Sequence, residues 1–385
     1  MSKQIYYNVD PIDKLGATIN ILYGERSNGK SYQLKHKKGI YPYLRGAKSY
    51  RRDYTNKDII IEENIKAGTR FILLRRQKEE ISSEKVLEYL KDIDIMELTG
   101  DKYNCFDIYR KAIYLAVYDN ETGKTKRYDK IGYLMALSTE QNYAGANYND
   151  VHDIIFEEFM SRSTYLSQEP SKLMNLYSTV DRKKGTTRLW LCGNTISRVC
   201  PYLEEWGLMD LMRGMSQGDI RTRWVETGEV DEDGNNIAVL LAIEWCKHSG
   251  RSSFIIGKHA NMLNKGDWQS DPQPHLKYSL KEYKFLYRIG FQYQSFKFLA
   301  DYIMDKDYNT CWYIYPYNKE FKDNLLVFSD IIKESRYWQK DIYNPSINND
   351  KLKNLLQTFR ENKIFYATDL VGTDFKQAID FVIKK

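Results

Sequence analysis

The sequence predicts an α/β protein with a mostly parallel sheet, followed by a linker and a small α+β domain. Three observations carry this. Over roughly residues 1–248, short apolar runs alternate with helix-competent stretches, as in strands joined by helices. One run, Ile19–Tyr23, leads directly into Gly24-Glu-Arg-Ser-Asn-Gly29-Lys30-Ser31, a full match to the phosphate-loop pattern G-x-x-x-x-G-K-[ST]. Another, Ile154–Phe156, ends in Glu157 and Glu158, and open α/β sheets bind ligands at the C-terminal ends of such strands.

In chain order the predicted strands are Ile19–Tyr23, Phe71–Leu74, Ile154–Phe156, Leu189–Cys192 and Val239–Trp245. The stretch Ser31–Lys38 reads as the helix after the loop. Two hairpins are expected, turning at Asp119–Gly123 and at Asp231–Asn235, where Asn, Asp and Gly cluster. Leu173, Leu176, Tyr177 and Val180 form a helical stripe over Ser171–Asp181. That helix delivers Arg182, Lys183 and Lys184 just before the strand that ends in Gly193 and Asn194. The polar stretch 249–277, with its Asn-Lys-Gly-Asp and Asp-Pro-Gln-Pro runs, reads as a linker. Strand-like Phe285–Phe291, Cys311–Tyr315 and Ile364–Ala367 then predict a small sheet over 278–385. A closing helix from about Thr373 places Phe375, Ile379 and Val382 on one side to pack against it.

Composition bounds the function classes. A chain of 385 residues is long enough for two or three cores. With 42% hydrophobic and 29% charged residues it is globular rather than disordered. No apolar run is long enough to span a bilayer, so no membrane partner is expected. The opening MSKQIYYNVD has no apolar signal core, which predicts a protein that stays in the compartment where it is made. The cysteines (Cys105, Cys192, Cys200, Cys246 and Cys311) are odd in number and scattered, which suits reduced thiols. Cys246, His248 and His259 lie close in sequence, yet no second paired cluster completes a zinc site. A net charge of +6 permits a nucleic-acid partner without requiring one. The 32 tyrosines, with abundant Asn, Lys and Ile, fit either an AT-rich genome or stacking on bases.

The loop and the acid pair assign chemistry. Gly24 and Gly29 let the backbone wrap phosphates with its N–H groups turned inward, and a helix N-terminus adds a positive dipole end. Lys30 is expected at the β- and γ-phosphates of ATP, with the Ser31 hydroxyl toward Mg²⁺. Glu157 is read as the metal-side carboxylate and Glu158 as the base for the attacking water. Asn194, at the tip of the strand beside the acidic one, is placed to sense the γ-phosphate or hold the catalytic glutamate. The basic run at 182–184 fits either a solvated helix end or an arginine finger serving a neighbouring subunit.

These ordered features resemble the DNA-encapsidation ATPases of small podoviruses. The resemblance rests on Tyr6-Tyr7-Asn8, on G-x-R-x-x-G-K-S-Y from Gly24 to Tyr32, and on Phe71-Ile-Leu-Leu-Arg75-Arg76-Gln-Lys78. It continues through Ile155-Phe156-Glu157-Glu158-Phe159 and Asn175-Leu176 to Arg182 and Asn194, and thins beyond about residue 205. It implies an ASCE-type P-loop NTPase core and a homo-oligomeric ring, a pentamer in the family, on the portal vertex of a procapsid in the host cytoplasm. It further implies ATP-driven translocation of double-stranded DNA, attachment through a tethering RNA or protein, and absence from the mature virion. By the same resemblance Arg26, Asn28 and Tyr32 join the ATP loop, and Tyr7 and Asn8 border the adenine. Arg182 becomes the trans-acting finger, and Arg75 or Lys78 faces an adjacent subunit's nucleotide. Family members carry Asp where Glu157 stands, and the hairpin around Gly234 reads as an insertion. The C-terminal domain resembles an RNase H-type nuclease fold. Phe285–Ala300 holds no acid, and Asp301 and Asp369 are the nearest carboxylates, so it is read as vestigial and used for docking.

A motor indifferent to sequence grips phosphates through Lys and Arg. Candidate DNA contacts are Arg162 after the acidic strand, Lys124, Lys126 and Arg127 near the first hairpin tip, and Arg45, Lys48, Arg51 and Arg52 within Tyr41–Lys57. Two rivals remain at this level: a large-terminase-like motor with an active nuclease, and a P-loop kinase of small metabolites. The first needs metal-binding carboxylates in the last domain, and the second does not need Glu158. A nucleotide-gated scaffold without hydrolysis is a third, and Glu158 argues against it.

Overall fold

The computed structural model describes residues 6–53, 56–161, 165–195, 198–212, 214–230, 234, 236–247, 272–277, 279, 281–293, 295–329, 333, 335, 337–339, 350–361 and 363–383. These form two compact units. The first holds the described residues up to Thr195 and from Glu205 to Lys247; the second holds 198–204 and those from Pro272 onward. Residues 198–204, inside the stretch read as one domain to 248, thus belong to the second unit, where Val199 joins the core. Most of the expected linker, and with it His248 and His259, lies outside the described residues.

Strands of the first unit are β1 (Ile19–Gly24), β2 (Ala47–Arg52), β3 (Ile60–Ile65), β4 (Arg70–Arg75), β5 (Cys105–Tyr109) and β6 (Ala112–Asp119). They continue with β7 (Lys124–Ala136), β8 (Val151–Glu157), β9 (Arg188–Asn194), β10 (Ile220–Val230) and β11 (Asn236–Trp245). Nine of them make one sheet in the order β10-β11-β1-β9-β8-β4-β7-β6-β5. From β11 to β7 all neighbours run parallel, while β10, β6 and β5 are antiparallel additions at the two edges. The centre explains the apolar runs. Every residue of β1 is buried, as are six of the seven in β8 and in β9, because both sheet faces are covered.

Both expected hairpins pair, β6 with β7 and β10 with β11, although 231–233 and 235 lie outside the described residues. The stretch after the loop departs from a regular α-helix. Lys30–Gln33 is α-helical, Leu34–Ile40 is π-helical, and Tyr41–Arg45 is α-helical again. The wider π turn buries Leu34, Lys35, Lys38, Gly39 and Ile40 together. A side chain at Gly39 would meet the Phe71 ring at 3.3 Å, so only glycine fits this approach without displacement.

The second unit has a six-stranded sheet of β12 (Lys284–Tyr293), β13 (Phe296–Met304), β14 (Thr310–Pro316), β15 (Val327–Ser329), β16 (Trp338–Gln339) and β17 (Ile364–Tyr366). Their order is β16-β15-β12-β13-β14-β17. Phe285–Ala300 spans a hairpin in which β12 pairs with β13 up to Tyr293 and Phe296, and Asp301 lies in the middle of β13. The last helix spans Asp369–Ile383 and starts earlier than expected, with the Val371 N–H donating to Thr368 Oγ1 at 3.1 Å. Its Phe375 and Ile379 pack into the sheet core, as the stripe predicts.

Candidate functional site

Parallel pairing of β1 with β9 and of β9 with β8 aligns their C-terminal ends. A cavity of about 770 Å³ opens along that edge. Residues 27–33, Glu157, Glu158 and Cys192–Asn194 line it, together with Tyr6 and Asp92. The structure therefore brings together Asn28, Gly29, Lys30, Ser31, Tyr32, Glu157, Glu158 and Asn194 from the sequence reading. Asn194 stands opposite Gly24 in the sheet register.

The loop holds itself in shape. Gly29 has φ +97°, a left-handed conformation that a side chain would strain. Lys30 is buried, and its Nζ donates to the Glu25 carbonyl at 2.5 Å and to Asn28 Oδ1 at 3.1 Å. Asn28 in turn donates to the Lys247 carbonyl at 3.3 Å, and its own carbonyl accepts from the Tyr7 N–H at 2.9 Å.

The two acids part company. Glu157, only 4% exposed, accepts from Ser31 Oγ at 2.9 Å on Oε2 and from the Tyr89 hydroxyl at 2.8 Å on Oε1. Burial pushes its carboxyl above the ordinary range, while the Tyr89 and Ser31 hydrogen bonds pull the other way. A hydroxyl and a carboxylate are hard oxygen donors that suit Mg²⁺, so this pair fits the expected ion. Glu158 leaves the strand in a left-handed conformation, φ +58°, and its exposed carboxylate accepts from Arg75 Nη2 at 3.0 Å. Arg75 is thereby engaged with the acid of its own chain. Lys78 is exposed in a short 3₁₀ turn.

Two supports escaped the sequence reading. Arg76, 7% exposed, donates from Nε to both oxygens of buried Glu169, at 3.0 and 2.9 Å. Its other nitrogens donate to the Glu158 carbonyl at 3.2 Å and the Phe159 carbonyl at 2.5 Å. Tyr89 is the second. The double arginine marked Arg76 as notable, whereas nothing local marked Tyr89, whose partner Glu157 is distant in sequence.

Other expectations need correcting. Tyr7 and Asn8 do not line the cavity. Tyr7 is buried and its hydroxyl donates to Glu244 Oε2 at 2.8 Å, and Asn8 Oδ1 accepts from Lys37 Nζ at 3.2 Å. In an extended segment adjacent side chains face opposite ways, so exposed Tyr6 takes the cavity side. Arg26 is exposed in the loop and does not line the cavity either.

Arg182 is not on the nucleotide face. The helix Glu169–Asp181 carries the chain back from the end of β8 to the start of β9, about 20 Å along the strands. Arg182 Nη2 there donates to the Ala146 carbonyl at 2.5 Å. Its own chain's cavity is out of reach.

Among the basic segments, Lys124, Lys126 and Arg127 are exposed, with Arg127 paired to Asp107. Lys48 and Arg51 pair with Glu62 and Glu63 across β2 and β3, and Arg52 donates to the Leu15 carbonyl. Arg45 reaches the Leu98 carbonyl. Arg162 lies outside the described residues. In the second unit, buried Asp301 is clamped by Arg288 at 2.5 and 2.8 Å, and Asp369 accepts from the Gln273 N–H at 2.8 Å, with the His275 ring also 2.8 Å away. Among the described residues no cluster of three His, Cys, Asp or Glu could hold a metal ion, and no helix is long and apolar enough to cross a membrane.

Residues 33–214 match the family model for the Podovirus DNA encapsidation protein (Gp16). DNA packaging proteins of Bacillus phages phi29 and PZA are each 28% identical to this chain over 205 residues, 52% of this chain and 50% of theirs. The chain spans about half the length of these curated relatives. A solved structure of the bacteriophage Phi-29 viral genome packaging motor assembly aligns over 98% of this chain and 99% of its own, with a TM-score of 0.54 at 21% identity, a likeness of fold.

Proposed function

We propose that this chain, whose residues 33–214 match the podovirus DNA encapsidation (Gp16) family model, is the ATP-hydrolysing motor that drives double-stranded viral DNA into a procapsid. The observation that carries the reading is the 2.9 Å contact between Ser31 and Glu157, which joins the phosphate-type loop to the acid strand on one sheet edge. The position of β9 between β1 and β8 supports an ASCE-type P-loop core.

In this reading the loop N–H groups and Lys30 hold the β- and γ-phosphates, and Lys30 exchanges its bonds to Glu25 and Asn28 for phosphate oxygens. Ser31 and Glu157 would hold Mg²⁺, which when bound would neutralise charge on the phosphates. Glu158 accepts a proton from the attacking water once its carboxylate is released from Arg75, and Asn194 reports on the γ-phosphate across the strand end. Arg182, away from its own chain's cavity, is taken as the finger that would serve the nucleotide of an adjacent copy in a homo-oligomeric ring. Lys78 is the further inter-subunit candidate, and Lys124, Lys126 and Arg127 are exposed for DNA phosphates. The ring would sit on the portal vertex in the host cytoplasm, tethered by RNA or protein, and leave before the virion matures. In the second unit the antiparallel β12–β14 meander, extended by parallel β15 and β16, is compatible with an RNase H-type fold. The Arg288 clamp on Asp301 supports its being vestigial.

Steady-state ATPase measurements with and without double-stranded DNA test the proposal. Hydrolysis should be stimulated by DNA and lost in Lys30→Ala together with ATP binding. Glu158→Gln should bind ATP normally and turn over on the order of a hundredfold more slowly or worse. Phosphoryl transfer to a small acceptor without DNA stimulation would overturn the motor reading in favour of a kinase.

A further inference from the structure

The helix Ser83–Leu90 buries Val86 and Leu90, and the phenol of Tyr89 extends toward the end of β8. There its hydroxyl donates to Glu157 Oε1 at 2.8 Å, while Ser31 Oγ donates to Oε2 at 2.9 Å. Each carboxylate oxygen thus has one neutral donor, and the two donors come from different elements. A glutamate side chain has one more torsion than aspartate, and its terminal torsion is broad. One donor would leave the carboxylate plane free to rotate; two on opposite oxygens fix it.

Tyr89 is itself held from the phosphate-loop side. Lys35, 4% exposed in the π-helical turn after the loop, donates from Nζ to the Tyr89 carbonyl and lies 4.4 Å over its ring. Asp92, which lines the cavity, pairs with the same ammonium. The helix that follows the phosphate loop, the Tyr89 helix and the β8 acid are therefore linked through one phenol.

We propose that Tyr89 is a positioning residue for divalent-metal binding. It orients Glu157 so that the free lone pairs of the carboxylate and the Ser31 hydroxyl face a common point in the cavity. The proposal rests on Glu157 being the metal-side carboxylate. Partners of this kind, one step behind a metal ligand, typically contribute tenfold to a hundredfold to metal affinity.

Tyr89→Phe removes the hydroxyl and keeps the ring. The direct readout is Mn²⁺ binding by electron paramagnetic resonance, with a non-hydrolysable ATP analogue on the full chain. Mn²⁺ affinity should fall about tenfold, and half-saturating Mg²⁺ in the ATPase assay should rise by a similar factor. ATP-analogue binding in EDTA and the rate at saturating Mg²⁺ should stay within about twofold of wild type. Lys35→Met, which keeps the hydroxyl but loosens its anchor, should show a smaller loss of the same kind. Unchanged Mn²⁺ affinity in Tyr89→Phe overturns the proposal, and so does an equal loss of metal-free nucleotide binding, which marks a structural role. Glu157→Gln separates the two assumptions. If it also keeps wild-type Mn²⁺ affinity, the assignment of Glu157 itself has failed; if it loses Mn²⁺ while Tyr89→Phe does not, only the role of Tyr89 has.

Discussion

Replacing Arg76 by methionine should cripple the first unit in a measurable way. Methionine fills a similar volume and carries neither charge nor donors. The change strips the cation from Glu169, which is 1% exposed, and removes the donors to the Glu158 and Phe159 carbonyls. Removing one member of a buried ion pair typically costs about 3–5 kcal/mol, because the remaining charge stays desolvated. For a unit of this size each kcal/mol lowers the melting temperature by roughly 2–4 °C, so a fall of about 6–20 °C is expected by calorimetry. Arg76→Met with Glu169→Met should recover part of that loss, since the desolvated carboxylate is then gone. Well below the melting temperature, ATP binding should be nearly intact while turnover drops, because the backbone that carries Glu158 loses its anchor. A shift under about 3 °C, or a double variant as unstable as the sum of the single ones, would refute the clamp.

Two further outcomes follow from the geometry. Arg182→Ala subunits should bind ATP like wild type yet form inactive rings, and mixing them with Lys30→Ala subunits should restore part of the DNA-stimulated hydrolysis; no recovery in rings shown to be mixed would exclude action in trans and favour Lys78. Burial raises the Glu244 carboxyl to about 7, so its folded-state pKa lies above the unfolded one, and the stability it contributes is full below about 4.5 and lost as pH rises through 7. Denaturant titrations should show wild type losing up to about 3 kcal/mol more than Glu244→Gln between pH 5 and pH 8.5, and parallel pH profiles would disprove the shift.

The parallel centre of the sheet was legible because burial on both faces leaves continuous apolar runs, which Ile19–Tyr23 and Ile154–Phe156 display without reference to the rest of the chain. Polar strands were not. β2 and β3 stabilise each other through Lys48–Glu62 and Arg51–Glu63, and the basic half read alone looks like a DNA-binding segment. The choice between Tyr6 and Tyr7 turns on Glu244, which is 237 residues away in sequence, so no local pattern could decide it. Nothing in the stretch read as the helix after the loop marks Lys35 and Lys38 as buried, yet the π turn buries both and Asp92 and Asp13 satisfy them. Sequence proximity to the Asn194 strand hides at which edge of the sheet Arg182 stands. A parallel strand begins at the edge opposite the one where it ends.

The adjacent glutamates show how one dipeptide can supply two chemistries. A regular strand already sends neighbouring side chains to opposite faces, which separates Glu157 from Glu158 at no cost. It would also aim Glu158 across the far face of the sheet. The left-handed backbone at Glu158, φ +58°, turns the chain out of the strand and keeps both carboxylates on the cavity wall. That conformation costs a non-glycine residue on the order of 1 kcal/mol or more. It persists because Arg76 binds the carbonyls of Glu158 and Phe159 from below, while Arg75 draws the Glu158 carboxylate toward β4. Two consecutive arginines at the end of β4 thus both act on Glu158 at the end of β8, one on its carbonyl and one on its carboxylate. The buried arginine sets the backbone, and the half-buried one holds the charge until the water needs it.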